Sequence, residues 1–248
     1  MKFTYRDIAE DLRKLIRSGT YAPGKTLPSE TALASDYGVS RSLVNKALQL
    51  LAAEGLVRPR QGDGTRVTWL PPLSRSGARY RRDTREHEGA KGAFDAEIRA
   101  IGLEPQHEIA VTRTTAPNDI SALFGLSEIT VVRRSRRLLA SGIPVSLVIS
   151  YMPADIAVGT ALEEPEPVIV GGIKSLYASL GHPQVEADER ILVRLPTDEE
   201  AEKLEISAER PVFDILHTGR MADGRTVEVT TTVTPTSYLI IESTFPLT

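Results

Sequence analysis

Leu27-Pro28-Ser29-Glu30-Thr31-Ala32-Leu33-Ala34-Ser35-Asp36-Tyr37-Gly38-Val39-Ser40-Arg41-Ser42-Leu43-Val44-Asn45-Lys46-Ala47-Leu48-Gln49-Leu50-Leu51 reads as two short helices around a tight turn. Ser29 follows a proline and is placed to cap the first helix, with Glu30 in the first turn, where the dipole favours an acid. Ala32, Leu33 and Tyr37 give that helix an apolar side, and Gly38 breaks it after about two turns. Ser40 caps the second helix. Its inner face is Val44, Ala47, Leu48 and Leu51, and Gly55 stops it. Two short helices joined through a glycine form a helix-turn-helix pattern.

The flanking sequence extends this unit on both sides. Ile8, Leu12, Leu15 and Ile16 recur at helical spacing and predict a helix over 4–18, ended by Gly19 and Tyr21-Ala22-Pro23-Gly24. After the third helix, Leu56-Val57-Arg58 reads as a strand, Gln61-Gly62-Asp63-Gly64 as a turn and Thr65-Arg66-Val67-Thr68 as the returning strand, which makes a wing. At about 100° per residue, Ser42, Asn45, Lys46 and Gln49 lie opposite the apolar face of the third helix, with Arg41 on its flank. A polar, cationic helix face of this kind suits a DNA major groove. Charge is distributed to match. Net charge is only −3, but residues 1–75 carry 12 Lys+Arg against 7 Asp+Glu, a surplus of +5, and the remainder carries −8. A basic head on an acidic body suits a polyanionic partner at one end, although a solvated basic face gives the same count.

Composition excludes several classes. The chain has 248 residues, 41% apolar and 25% charged, which is globular and enough for two domains. Cysteine is absent, so disulfide scaffolds, thiol nucleophiles and Cys-ligated zinc are excluded. No secretory core or membrane-length apolar run is found, so a cytoplasmic protein without membrane contact is expected. His87, His107, His182 and His217 are scattered, with no His-x-x-x-His pair and no Gly-x-Ser-x-Gly elbow. Gly62-Asp63-Gly64 lacks the βαβ unit that a dinucleotide fingerprint requires. No enzyme, metal or cofactor is expected.

The series Ile8-Ala9, Leu12-Arg13, Pro23-Gly24, Leu27-Pro28-Ser29-Glu30, Leu33-Ala34, Tyr37-Gly38-Val39-Ser40-Arg41, Val44, Ala47-Leu48, Leu51, Glu54-Gly55-Leu56-Val57, Gly62, Gly64-Thr65 and Val67 closely resembles the winged-helix domain of GntR-family bacterial transcription regulators. The resemblance implies a double-stranded DNA partner. Ser29 and Ser40 are expected at phosphate, Arg41 at phosphate or a base edge, Asn45 at adenine and Lys46 at phosphate. Ser42 and Gln49 share that face. Gly62 and Gly64 allow the wing tip to approach a minor groove, with Arg60 or Arg66 as its cation. Two positions depart from the family. Thr31 stands where relatives with Ser-Glu-Arg place a DNA-contacting Arg, and Asn45 replaces the Arg of Val-Arg-x-Ala-Leu. An operator that differs at that base pair follows, because Arg pairs with guanine and Asn with adenine.

Pro71-Pro72-Leu73-Ser74-Arg75-Ser76-Gly77 marks a boundary, giving a winged helix over 1–70, a linker over 71–93 and a second domain over 94–248. Arg79-Tyr80-Arg81-Arg82 in the linker is either a DNA-backbone contact or a solvated run. Beyond it the pattern is α+β. Helices are expected around Phe94–Ile101, Pro117–Leu126, Ile173–Leu180 and, from a capping box, Thr197–Leu204. Strands are expected at 109–112, 130–139, 145–151, 185–195, 212–218, 227–233 and 239–245. Ser141-Gly142-Ile143-Pro144 predicts a hairpin turn.

Arg136, Gly142-Ile143-Pro144-Val145, Ser150-Tyr151-Met152-Pro153, Ser175-Leu176-Tyr177, Arg190, Leu195-Pro196-Thr197-Asp198-Glu199-Glu200-Ala201, Pro211-Val212 and Gly224-Arg225-Thr226-Val227-Glu228 resemble the UTRA effector-binding domain of the HutC branch, which has a chorismate-lyase-like fold. The implied protein is a homodimeric repressor on an inverted-repeat operator, released by a small organic effector. Arg136, Ser150, Ser175, Tyr177 and Glu228 are the effector-binding candidates. Arg136 also reads as an exposed strand cation beside Arg133, Arg134 and Arg137, and Tyr177 also reads as core. Leu138 and Val148 replace an Arg and a Glu that hold phosphosugars in relatives, and Thr234-Pro235-Thr236-Ser237-Tyr238 replaces a charged stretch. A ligand less anionic than a sugar phosphate is therefore expected. The alternative is a constitutive DNA-binding repressor with a vestigial pocket.

Overall fold

The computed structural model describes residues 3–60, 62–165 and 170–245. Gln61 of the expected wing turn and residues 1–2 and 246–248 of the expected domains lie outside the described residues. The chain divides into two compact units, the first Met1–Pro71 with the short segment Ser141–Ile143 and the second Pro72–Ala140 with Pro144–Thr248.

The first unit is three helices and a hairpin: α1 (Tyr5–Arg17), α2 (Glu30–Tyr37), α3 (Arg41–Ala53), β1 (Val57–Arg60) and β2 (Gly64–Val67). Side chains fix where the helices begin. Thr4 and Asp7 form a reciprocal capping box on α1, Ser29 accepts from Ala32 N on α2, and Ser40 accepts from Leu43 N on α3. Gly38 ends α2 at φ 63°, left-handed backbone that costs a Cβ-bearing residue more. The core is Ile8, Ala9, Leu12 and Ile16 from α1, Leu33 and Ala34 from α2, Val44, Ala47, Leu48 and Leu51 from α3, and Val57 and Val67 from the hairpin. Two details differ from expectation. Ala34, not Ala32, faces inward on α2, because 33, 34 and 37 share one side of a 3.6-residue helix. Leu15 is only half-buried, and Ala9 completes the α1 stripe. The wing strands pair antiparallel, with Val57 opposite Val67 and Arg60 opposite Gly64.

The second unit holds β3 (Leu73–Arg75), α4 (Arg82–Glu86), α5 (Ala93–Ala100), β4 (Pro105–Thr115), α6 (Asn118–Leu123), β5 (Thr130–Ala140), β6 (Ile143–Pro153), α7 (Ala154–Ala157), α8 (Gly172–Ser179), β7 (Glu186–Arg194), α9 (Asp198–Leu204), β8 (Val212–Arg220), β9 (Thr226–Pro235) and β10 (Leu239–Ile241). Six strands form one sheet in the order β4-β5-β6-β9-β8-β7. The pairs β4–β5, β6–β9, β9–β8 and β8–β7 are antiparallel. Ser141 and Gly142, both at positive φ (47° and 79°), turn β5 into β6 as a two-residue hairpin of the primed type. The fold is α+β.

Two expectations are corrected. The stretch 71–93 is not an extended tether. β3 pairs in parallel with β10, Leu73 opposite Leu239, and short helices follow it. The strand expected over 239–245 is accordingly short and lies outside the large sheet, because its partner is β3. Arg79 is no solvated cation either. It forms a two-point ion pair with Glu97, at 2.9 and 3.1 Å. Among the described residues no helix is long and apolar enough to cross a membrane.

Trp69, the only tryptophan, packs against the first unit's core, so its fluorescence reports that unit. Leu12 is fully buried. Leu12→Ala is expected to lower the stability of the first unit by about 2–5 kcal/mol, the cost of the lost side chain and the cavity it leaves. The check is urea unfolding followed at Trp69; a midpoint unchanged from wild type would contradict the packing described.

Candidate functional site

Two surfaces carry chemistry. The first is the outer face of α3 with the adjoining caps and wing. Ser29, Thr31, Ser40, Arg41, Ser42, Lys46 and Gln49 are exposed. Ser29 and Ser40 each spend one acceptor lone pair on a helix cap, which leaves their O–H groups able to donate to an anion. Asn45 is half-buried and held at both ends. Its Nδ2 donates to Glu30 Oε1 at 3.2 Å, and its Oδ1 accepts from Gln49 Nε2 at 2.8 Å. A carboxamide has two N–H donors and two acceptor lone pairs. One of each remains, which is what a bidentate contact with adenine uses. Glu30 also pairs with Arg41 at 3.5 Å, so one carboxylate orients both side chains. Reading Glu30 only as a dipole-favoured acid missed this; the signal was a carboxylate at the start of α2, with only three residues between the end of α2 and the start of α3. On the wing, Gly62 and Gly64 have positive φ (80° and 78°). Arg66 donates to Asp63 at 3.2 Å, and Arg60 is half-buried.

The second surface is a cleft in the second unit, with a volume of about 170 Å³. Its floor is the sheet. Ser150 on β6, Thr230 on β9, His217 on β8 and Glu189 on β7 are direct cross-strand neighbours, so polar side chains cross four strands in one row. Arg136 Nη2 donates to Ser150 Oγ (2.8 Å), Ser150 and Thr230 share a hydrogen bond (2.8 Å), and Thr230 donates to Glu228 (3.0 Å). Gln184 donates to the other Glu228 oxygen at 2.8 Å, and Lys174 of α8 lies 3.5 Å from it. Lys174 Nζ is 3.0 Å from His217 Nε2.

Burial alone would raise the Glu228 carboxyl. Lys174, His217, Gln184 and Arg136 outweigh it and hold the group down at about 2. Burial pulls Lys174 and Arg136 below their ordinary values, with Glu228 opposing. The former linker supplies the cleft's other wall. Arg75 is buried against Glu189 at 2.5 Å and donates to the Tyr80 hydroxyl at 2.8 Å. Tyr80 stacks on His217 with centroids 4.9 Å apart. Leu138 and Val148 line the cleft as apolar surface, and Arg136 and Glu228 line it as charges.

The other effector candidates are placed differently. Ser150 lies beneath Arg136 and is fully buried. Ser175 donates to Glu86 Oε1 (2.9 Å) and accepts from Arg85 Nη1 (2.9 Å), so the chain's own groups engage it. Tyr177 does not reach the cleft. It is fully buried and its hydroxyl donates to Val227 O at 2.7 Å. At helical spacing with Ile173 and Leu180, its ring joins the core under α8. Sequence reasoning missed Arg75, Tyr80, Lys174, Glu189 and His217, which assemble only through contacts between residues distant in the chain.

Residues 4–67 match the family of bacterial regulatory proteins called gntR, and residues 100–239 match the UTRA domain. An uncharacterised HTH-type transcriptional regulator of Streptomyces coelicolor is 30% identical over 231 residues, covering 90% of this chain and 86% of that protein. The chain belongs to the GntR family. Its order of domains is that of the HutC-like branch. The HTH-type transcriptional repressor NagR of Bacillus subtilis is 26% identical over 226 residues, covering 90% of this chain and 87% of NagR. The crystal structure of PhnF from Mycobacterium smegmatis shares the fold, with a TM-score of 0.61 at 20% identity, over 97% of this chain and 100% of that one. GntR proteins are DNA-binding transcription regulators rather than enzymes, and UTRA domains bind small-molecule effectors. The α3 face of this GntR protein lies in the first matched segment and the sheet floor of the cleft in the second, while the wall from Leu73 to Glu97 lies between them.

Because the Glu228 carboxyl sits below its ordinary 4.5 in the folded protein, the unfolded chain binds the extra proton first as pH falls. The stabilisation is complete above about pH 4.5 and fades as pH drops toward 2, on the order of 3 kcal/mol in all. Hydrogen-exchange protection of β8 and β9, corrected for the intrinsic rate at each pH, should therefore weaken between pH 5 and 3 more steeply in wild type than in Glu228→Gln. Parallel slopes would show that Glu228 is not held ionised.

Proposed function

We propose that this GntR protein is a repressor that binds an inverted-repeat operator as a homodimer and leaves it when a small organic effector fills the cleft of the second unit. The observation that carries this reading is a built, partly apolar cleft in the same chain as a winged helix whose recognition face is exposed and pre-oriented. One recognition helix reads only a few base pairs, so useful specificity needs two half-sites and hence two chains. In this reading Asn45 contacts adenine, Arg41 a base edge or phosphate, and Ser29, Ser40 and Lys46 contact phosphate. Thr31, Ser42 and Gln49 flank them. Gly62 and Gly64 bring the wing to the minor groove with Arg60 or Arg66. Arg136 and Glu228 meet the effector, and Ser150 supports Arg136 from below.

A ligand that releases DNA must prefer the released form, and such coupling is typically about 1–3 kcal/mol. Operator DNA then weakens effector binding by the same factor. The apolar pair Leu138 and Val148 also suits a second reading, a repressor that no ligand releases.

Footprinting at low salt is expected to protect a symmetric site whose affinity falls steeply with salt as counterions are released. Asn45→Ala should relax one base pair in each half-site, at about 1–3 kcal/mol. Lys46→Ala should weaken all sequences alike and lower the salt slope by about one. A chain that protects no site at low salt removes the regulator reading. An unchanged binding motif for Asn45→Ala removes the base contact alone.

A further inference from the structure

The identity of the ligand is written in the charge of the cleft. Arg75, Arg79, Arg85, Lys91, Arg136 and Lys174 line it, against only Glu97 and Glu228. Three of these six are paired with carboxylates, Arg75 with Glu189, Arg79 with Glu97 and Lys174 with Glu228, and Arg85 is held by Tyr80 O, Gly171 O and Ser175. Arg136 is not so held. Among the described residues its one hydrogen bond goes to Ser150 through Nη2, and its Nε is buried with no partner. A buried guanidinium N–H left unsatisfied costs about 1–3 kcal/mol or more, which an anionic acceptor recovers.

The surroundings of Arg136 select the kind of anion. Leu138 lies two residues along the same strand face, and Val148 lies beside Ser150 on β6. A phosphate monoester carries about −1.5 to −2 charge at neutral pH and three acceptor oxygens. Against this wall it would leave oxygens facing aliphatic carbon. Glu228, only 4% exposed and ionised, sits on the same floor and opposes a second negative charge. Ser175 is already bonded to the Glu86 carboxylate and is not free to take a further anion oxygen. A carboxylate has one charge and two oxygens, which suits a single guanidinium edge. Size limits the rest. A cavity of about 150 Å³ holds benzene, so the 170 Å³ here accommodates roughly six to ten non-hydrogen atoms without opening further.

Resting on the effector reading above, we propose that the cleft binds a small organic acid, with one carboxylate on the Arg136 Nε–Nη2 edge and an apolar body against Leu138 and Val148.

The test uses the full-length chain. Straight-chain, branched and aromatic monocarboxylates of four to nine carbons are titrated by calorimetry and thermal shift, beside their primary amides and phosphate monoesters of the matching alcohols. At least one acid should bind and raise the unfolding temperature. Its amide should bind about 100-fold more weakly, the scale of charge-assisted hydrogen bonds. Arg136→Lys keeps the charge but loses the planar edge, and should lose about tenfold or more; Arg136→Met should lose binding. The amide comparison needs no variant, so it decides even where Arg136→Met fails to fold. No acid binding at millimolar concentration, an amide that equals its acid, a phosphate monoester that binds more tightly, or a folded Arg136→Lys with wild-type affinity would each overturn the proposal. The effector reading fails separately. An acid that binds but leaves DNA affinity unchanged sustains the site and removes the switch, and a neutral compound that binds and releases DNA does the reverse.

Discussion

The Glu228 carboxylate is almost completely buried, and an ionised group removed from water has to be surrounded by donors. Most of the second unit's arrangement follows from supplying them. Thr230 comes from the same strand, Gln184 from the segment that leads into β7, and Lys174 from α8. Lys174 is in turn desolvated and is steadied by the His217 nitrogen and by the face of Tyr80, 5.1 Å away. Tyr80 belongs to the segment that follows Pro72 and is tied to Arg75 and Glu189. One buried charge therefore links the sheet floor, the helix over it and the connecting segment. A connected network of this kind favours a single arrangement, because removing any member strands another polar group.

The first unit solves a different problem with simpler means. Its helices are short, 13, 8 and 13 residues, and helices of that length are marginal alone. Caps at Thr4, Ser29 and Ser40 satisfy the N-terminal N–H groups, and the shared core supplies the rest. Core packing uses Val44, Ala47, Leu48 and Leu51 with Leu43, Leu50 and Ala52 beside them, which leaves the face of Ser42, Asn45, Lys46 and Gln49 out of the core. Glu30 then acts at that face, holding Asn45 and Arg41 in place before any partner arrives. Pre-orientation of this kind lowers the entropic cost of ordering side chains at an interface.

This division explains what the sequence made legible. Nearly every element of the first unit was readable, since caps, glycine breaks and helical periodicity act over a few residues. In the second unit the Ser141-Gly142 hairpin and the Thr197 capping box were readable for the same reason. The cleft was read only in part. Leu138, Val148, Arg136 and Glu228 were singled out and do line it. Tyr177 was ambiguous because a helical stripe cannot distinguish core from cleft. The Leu73–Arg75 strand was missed outright. Its prolines and serines read as linker, and its partner Leu239–Ile241 lies at the other end of the unit's sequence. Pairing over such distances has no local signature. The same holds for Arg75 with Glu189 and Lys174 with Glu228, each of which alone reads as a solvated surface charge.

The connecting segment matters most for how the proposed switch would work. A ligand shifts an equilibrium only through groups whose contacts differ between the two states. A cleft enclosed by the sheet and α8 alone would give the ligand no purchase on the chain leading to the winged helix. Here Arg75, Arg79, Tyr80 and Arg85 all line the cleft, and all lie within fourteen residues of Pro71, where the first unit ends. Each is also held by partners inside the second unit: Glu189, Glu97, His217 and Ser175. In the proposed switch, a ligand in the cleft would compete with, or reinforce, those partners. For that switch, the segment that follows Pro72 is therefore where a ligand in the cleft would make the differential contacts that linkage demands.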